Sequence, residues 1–273
     1  MNLGLLRTLA RVVFTAGLLW PGVTVTHGQS TPQKPNSRFF VADVAGDSRL
    51  RAGDQETPLV KSGVHAAEGA AIETKEDSST TLVLSNGTAL HLTAGSRFEV
   101  TRFLQEPFAP NRTELDVEPS ISQTWITLSQ GSFGVCTSRL VAGSTMVYQT
   151  PHGSIAVRGR RLLIAVSAAE TRITLLEGDV TATPDGANAG QVLTPGQQAV
   201  LRRADATSPA TVLVSNVPDA ELTSSDDVVA NACIARRTVF FEPVEGTAEL
   251  TPVRTTPAAA PTEFTVSPSR LGS

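Results

Sequence analysis

A chain of 273 residues with 22 Lys and Arg against 26 Asp and Glu, net −4, has the length for one large domain or two small ones. That balance excludes a basic nucleic-acid-binding face, and two Trp and a single Tyr leave little for stacking on sugars or bases. Its four His and two Cys are not spaced as a structural zinc site, and no metal or cofactor is expected.

The first 28 residues place Arg7 and Arg11 ahead of an apolar core from Val12 to Trp20, followed by small and polar residues. This is the pattern of a secretory signal peptide, with cleavage expected near Gly28 and an uncleaved anchor as the alternative. The apolar run is shorter than the roughly 20 residues a spanning helix needs, and no later segment fits a membrane span. Removing Arg7 and Arg11 leaves 20 basic against 26 acidic side chains, net −6. An exported protein can bridge its two cysteines, Cys136 and Cys233. Two buried thiols are the other reading; if bridged, the pair would pin the C-terminal segment to the β region.

A polar leader, residues 29–38, precedes short β-like runs from Phe39. In "TTLVLSNGTALHLTAGSRFEV" the runs Leu82 to Leu84 and Ala89 to Leu92 flank Asn86-Gly87, which suits a tight turn, and Gly95 precedes a run through Phe98 and Val100. Residues 105–123 lapse into an acidic, proline-containing stretch with Glu114, Asp116 and Glu118 on alternate positions, read as a charged loop or strand edge. The β texture resumes at "TWITLSQGSFGVC", where Trp125 is expected in the core and Gly131 at a turn.

In "QTPHGSIAVRGRRLLIAV", Ile155 and Val157 share one parity and Leu162, Ile164 and Val166 the other, so a continuous strand cannot bury both sets on one face. A bulge or corner at Arg158-Gly159-Arg160 absorbs the change, with Gly153 at the preceding turn and the arginines covering strand edges. "TRITLLEGDVTA" adds a strand and a turn at Gly178, and "LTPGQQAVLRR" another turn at Gly196 before the β region closes near Arg203. Residues 204–245 are mixed, with one short helix expected near 226–237: Ser225 as its cap, Asp226 and Asp227 in its first turn, Arg236 and Arg237 in its last. The Pro/Thr/Ala-rich residues 246–273 read as a disordered tail.

No phosphate loop is present, because the glycines lie between β runs rather than opening a helix. His65, His91 and His152 stand in turns or on the outward side of a strand, without a G-x-S-x-G elbow.

Three segments in order, "LVLSNGTALHLTAGSRFEV", "VYQTPHGSIAVRGRRLLI" and "TRITLLEGDVTA" with "LTPGQQAVL", resemble the FecR domain family. Founding members of that family are periplasmic sensors that relay a signal from an outer-membrane transporter to a sigma factor. The resemblance implies an all-β domain over residues 39–203, solenoid-like or roll-like, with Gly at its corners. It departs where the family's usual Thr is Arg160 and where the acidic stretch interrupts the domain. About ten residues precede the apolar run, too few for a sigma-binding domain. The expectation is a non-enzymatic, periplasmic or extracellular module acting on an unknown envelope protein through exposed strand edges. An extracellular structural or polysaccharide-binding protein is the alternative, and a hydrolase with paired carboxylates a third.

Overall fold

The computed structural model describes residues 37–109, 116–158, 160–205, 208–245, 247 and 249–255. The signal segment, nearly all of the polar leader, Glu114, Gly159 and residues 256–273 lie outside the described residues.

The first part of the chain gives strands β1 (Arg38–Ala45), β2 (Ser48–Ala52), β3 (Gln55–Pro58), β4 (Val64–Ala66), β5 (Ala70–Thr74), β6 (Ser79–Leu84), β7 (Ala89–Leu92) and β8 (Arg97–Gln105). A long strand, β9 (Ser122–Cys136), follows. After it come β10 (Thr145–Thr150), β11 (Gly153–Val157), β12 (Arg161–Val166), β13 (Glu170–Glu177), β14 (Val180–Pro184), β15 (Gln191–Leu193), β16 (Gln197–Arg202) and β17 (Thr211–Asn216). Helix α1 (Asp219–Thr238) and a hairpin of β18 (Val239–Pro243) and β19 (Leu250–Arg254) complete the described chain.

The ladders define two layers. The first runs β4-β1-β6-β7-β9-β12-β13-β16-β17. The second runs β3-β2-β5-β8-β9-β10-β11-β14-β15, with β9 and β10 parallel. Among the described residues only β9 belongs to both, and neither layer closes on itself. Up to Gln130, β9 pairs in the second layer; from Gly131 it pairs in the first. Gly131 has φ 100°, and a Cβ there would lie 2.3 Å from the Ser96 Cα, so the crossing of β9 between layers requires glycine.

Alternating apolar residues supply the core between the layers: Leu82, Leu90, Phe133, Ile164 and Ile173 from the first, Ile72, Phe98, Ile126, Tyr148 and Ile155 from the second. The parity change in "SIAVRGRRLLI" is explained by the same geometry. β11 lies in the second layer and β12 in the first, so both apolar sets point into one core from opposite sides. The return path crosses alongside: Arg158 N donates to Asp179 O and Arg160 N to Glu177 O, each at 2.9 Å, around Gly178.

Four expectations need correction. Strands do not end at Arg203, because the alternating "TVLVSN" continues the first layer as β17. The helix begins at Asp219 rather than 226: the Pro218 carbonyl accepts from the N–H groups of Glu221 and Leu222, and Ser225 is buried on the helix face against the sheet. Its first-turn acids are therefore Asp219 and Glu221, while Arg236 and Arg237 do close it. Within the segment read as a disordered tail, residues 250–254 form β19, paired along its length with β18. Finally, Trp125 is 39% exposed, because β9 buries Thr124, Ile126 and Leu128 and turns the intervening residues to the outside.

Candidate functional site

The outer face of the second layer carries a row of side chains that sequence reasoning missed. Arg102 lies opposite Trp125, Trp125 opposite Val147, Val147 opposite Ala156, Ala156 opposite Thr181, and Thr181 opposite Val192. At about 4.8 Å per strand the row runs roughly 24 Å across the layer to its edge. The Arg102 guanidinium carbon sits 4.8 Å from the Trp125 ring centroid, so the cation holds the indole against the sheet. Trp125 and Val192 are both exposed, Val192 to 63%. The signal was legible in the parity of "SQTWITL": once Ile126 and Leu128 are assigned to the core, Trp125 must face away from it.

The outer face of the first layer is covered over β6, β7, β9 and β12. Helix α1 lays Ser225, Val229, Ala232 and Cys233 on it, against Phe40, Val83, Ala89 and Cys136. Small residues line the seat: at Gly134, a Cβ would stand 2.7 Å from the Val228 carbonyl oxygen. Cys136 and Cys233 form a disulfide across this contact, with their Cα atoms 5.1 Å apart.

Charge fastens the helix ends. Arg161 pairs with Asp226, and Arg172 with Glu221 at 3.2 Å. Near the C-terminus the buried Arg236 pairs with Asp116 at 2.6 Å, and Asp116 also meets Arg160 at 3.3 Å. Hydrogen bonding to Arg236 holds the Asp116 carboxyl below its ordinary value of 3.8.

Glu118, read as part of a charged loop, is instead buried. The backbone around it joins the sheet, with Glu118 N donating to Arg139 O and Arg139 N to Asp116 O. Its carboxylate accepts from Ser122 Oγ and from Val141 N. Burial pushes its pKa above the ordinary 4.5. Beside it lies a cavity of about 100 Å³ lined by Ser138, Arg236, Phe108 and Phe240 among others. This pocket is small for an organic substrate, given the few hundred Å³ that ligand sites commonly occupy.

The remaining sequence-selected residues fall into place as follows. Gly87, Gly95, Gly178 and Gly196 have φ of 81°, 64°, 95° and 85° between strands, and Gly153 opens β11. Asn86 is buried in its turn: its amide donates to Ser122 Oγ and Thr124 Oγ1, each at 3.1 Å, and its carbonyl accepts from Thr88 N. That ties the β6–β7 turn to β9, a long-range role that the Asn-Gly pair alone does not announce.

The histidines are dispersed. His91 Nδ1 is 2.8 Å from Thr81 Oγ1 and His152 Nδ1 3.0 Å from Thr171 Oγ1, while His65 stacks near Phe39. Burial lowers the pKa of His65 and His91. Among the described residues no three His, Cys, Asp or Glu side chains gather as a metal site.

Residues 70–181 match the FecR family, described as "FecR protein". No curated protein matches the chain. Among solved structures, two crystal structures of a "putative anti-sigma factor" from Parabacteroides distasonis ATCC 8503 are similar to it. One has 13% identity and a TM-score of 0.41, and the other 12% and 0.38; each alignment covers 68% of this chain and 99% of the other.

Proposed function

We propose that this chain, which carries a FecR domain over residues 70–181, is an exported, non-enzymatic interaction module of bacterial envelope signalling. The row centred on Trp125 carries this reading. It offers an exposed indole and an arginine, two residue types that dominate protein–protein contact energies, on the sheet face that α1 leaves bare. The partner is a protein: Arg102 already occupies a face of the one exposed indole among the described residues, which a sugar would need for stacking.

The Cys136–Cys233 disulfide supports an oxidising compartment, and the apolar stretch from Val12 to Trp20 supplies the route there. No helix among the described residues is long and apolar enough to cross a membrane. The alternation of strands between layers, with glycines at the crossings, is the form we assign to the roll-like winding implied by the family.

A photo-crosslinking residue at Gln123, beside Trp125, tests the contact in the native host. We expect a defined adduct with one envelope protein, lost when Trp125→Ala is added, and no such adduct from the same probe at Asn231 on the helix. Adducts that survive Trp125→Ala would remove the row from the interface. Mass spectrometry of the mature N-terminus checks export, with Gln29 or a close neighbour expected first.

A further inference from the structure

Among the described residues each layer ends in two edge strands, and three of the four are protected. β3 is four residues with Glu56 and Pro58, and β4 and β15 are three residues each. Short length, charge and proline are the usual defences against edge-to-edge pairing. β17 has none of them: "TVLVSN" is six residues long, uncharged and free of proline, and its ladder partner among the described residues is β16 alone.

We propose that β17 pairs with β17 of a second copy of this chain, antiparallel about a two-fold axis at Leu213. This goes beyond the Trp125 interface and does not depend on it.

The phase of the ladder makes the edge self-complementary. Val217 N donates to Gly196 O, so Leu213 and Ser215, of the same parity, bond inward to β16. The N–H and C=O groups of Val212 and Val214 therefore point to the free edge. A two-fold at Leu213 sets Val212 of one copy opposite Val214 of the other, a pair that exchanges both backbone bonds. It also sets Leu213 opposite Leu213 as the close, non-hydrogen-bonded pair. Side-chain parity agrees: Val212 and Val214 pack toward the core, while Leu213, 61% exposed, is on the outer side where its own copy covers it. Pro209 and Pro218 bound the segment nearly symmetrically and limit the ladder to the residues between them.

The ladder selects the direction: an antiparallel two-fold at Leu213 sets each Val212 opposite a Val214 as a doubly hydrogen-bonded pair. The exposed Val192 of β15 lies at the same end of the sandwich, so joining the first layers brings the second-layer edges together as well.

Cysteine crosslinking of the whole chain reads both state and register, since the native cysteines are bridged and an added one is the free thiol. Leu213→Cys is expected to form a covalent dimer on mild oxidation, and Thr211→Cys alone is not, because Thr211 faces Ser215. The double variant Thr211→Cys/Ser215→Cys restores crosslinking. Light scattering should give the unmodified chain about twice the mass of Leu213→Lys, with Trp125→Ala leaving the mass at the higher value. A monomer at 100 µM overturns the proposal, as does equal crosslinking of Leu213→Cys and Thr211→Cys. A dimer that survives both Leu213→Lys and Val214→Pro places the contact elsewhere and overturns it too.

Discussion

The two outer faces of the sandwich are built from similar strands and have opposite fates. On the first layer, β9 turns Gly134 and Cys136 outward, and a helix settles on them; on the second, the same strand turns Gln123 and Trp125 outward, and nothing among the described residues covers them. Residue size separates the two: a helix backbone can approach a sheet where the outward side chains are small, and an indole with a guanidinium above it holds a helix off. One strand thus carries an internal surface and an external one, with the change at Gly131.

The sharpest way to break this contrast is to untie the helix. Cys136→Ser with Cys233→Ser opens a loop of 97 residues in sequence separation, which in the chain-entropy account costs about 4.7 kcal/mol. Denaturant melts should show the loss, and hydrogen exchange should rise first in residues 225–236. Reduction of the native protein should reproduce it. Equal melts would show that packing alone holds the helix.

Next in size is Gly134→Val, which forces a side chain into the Val228 backbone and should cost about 1–3 kcal/mol. Its control is Gln123→Val, on the exposed half of the same strand, which should change stability by no more than about 0.5 kcal/mol. Matching losses would mean that the helix yields without cost and that the covered face is no better packed than the bare one.

How much of this asymmetry could be read from the chain follows from its physical origin. Strand positions and their turns were legible at Asn86-Gly87, Gly95 and Gly178, because alternation and turn chemistry are local. The parity break at 158–160 was also legible, but its meaning was not: a bulge and a crossing between layers have the same local pattern. Helix α1 was half legible. Its C-terminal arginines are a local signal, whereas its first turns are polar and take their place from contacts with Arg172 and Arg161 far away in sequence. Trp125 was misplaced because an aromatic residue in an apolar run suggests a core, although parity argues otherwise. Glu118 was missed for the opposite reason, since nothing local tells that Ser122 and Val141 will enclose it.

Two carboxyls at the edge of the covered face should respond to pH in opposite directions. Burial raises the Glu118 pKa, so its contribution to stability is full below the ordinary 4.5 and is lost as pH rises through its folded value. The Arg236 partner lowers the Asp116 pKa, so that contribution is full above the ordinary 3.8 and is lost as pH falls through its folded value. Both are fully present only between 3.8 and 4.5. The difference in stability between wild type and Glu118→Gln should therefore vary on the neutral side of that window, and the difference for Asp116→Asn on the acid side. A pH-independent difference for Glu118→Gln would mean that its hydrogen bonds offset burial.

The smallest expected effect lies at the crossing itself. Arg160 reaches Asp116 and Glu177, each at 3.3 Å, with its side chain about a third exposed at 36%. Such solvent-screened pairs contribute little, and Asp116 keeps its shorter contact with the buried Arg236 when Arg160 is neutralised. The backbone bond from Arg160 N to Glu177 O also survives the substitution. Arg160→Gln should thus shift stability by no more than about 0.5 kcal/mol in a denaturant melt, and the Gln123 crosslink should persist. A larger loss would assign the fastening of the Asp116 segment to Arg160 rather than to Arg236. Loss of the crosslink with an unchanged melt would instead move the partner's contact from the bare face to this crossing, and the division of labour between the two faces would have to be redrawn.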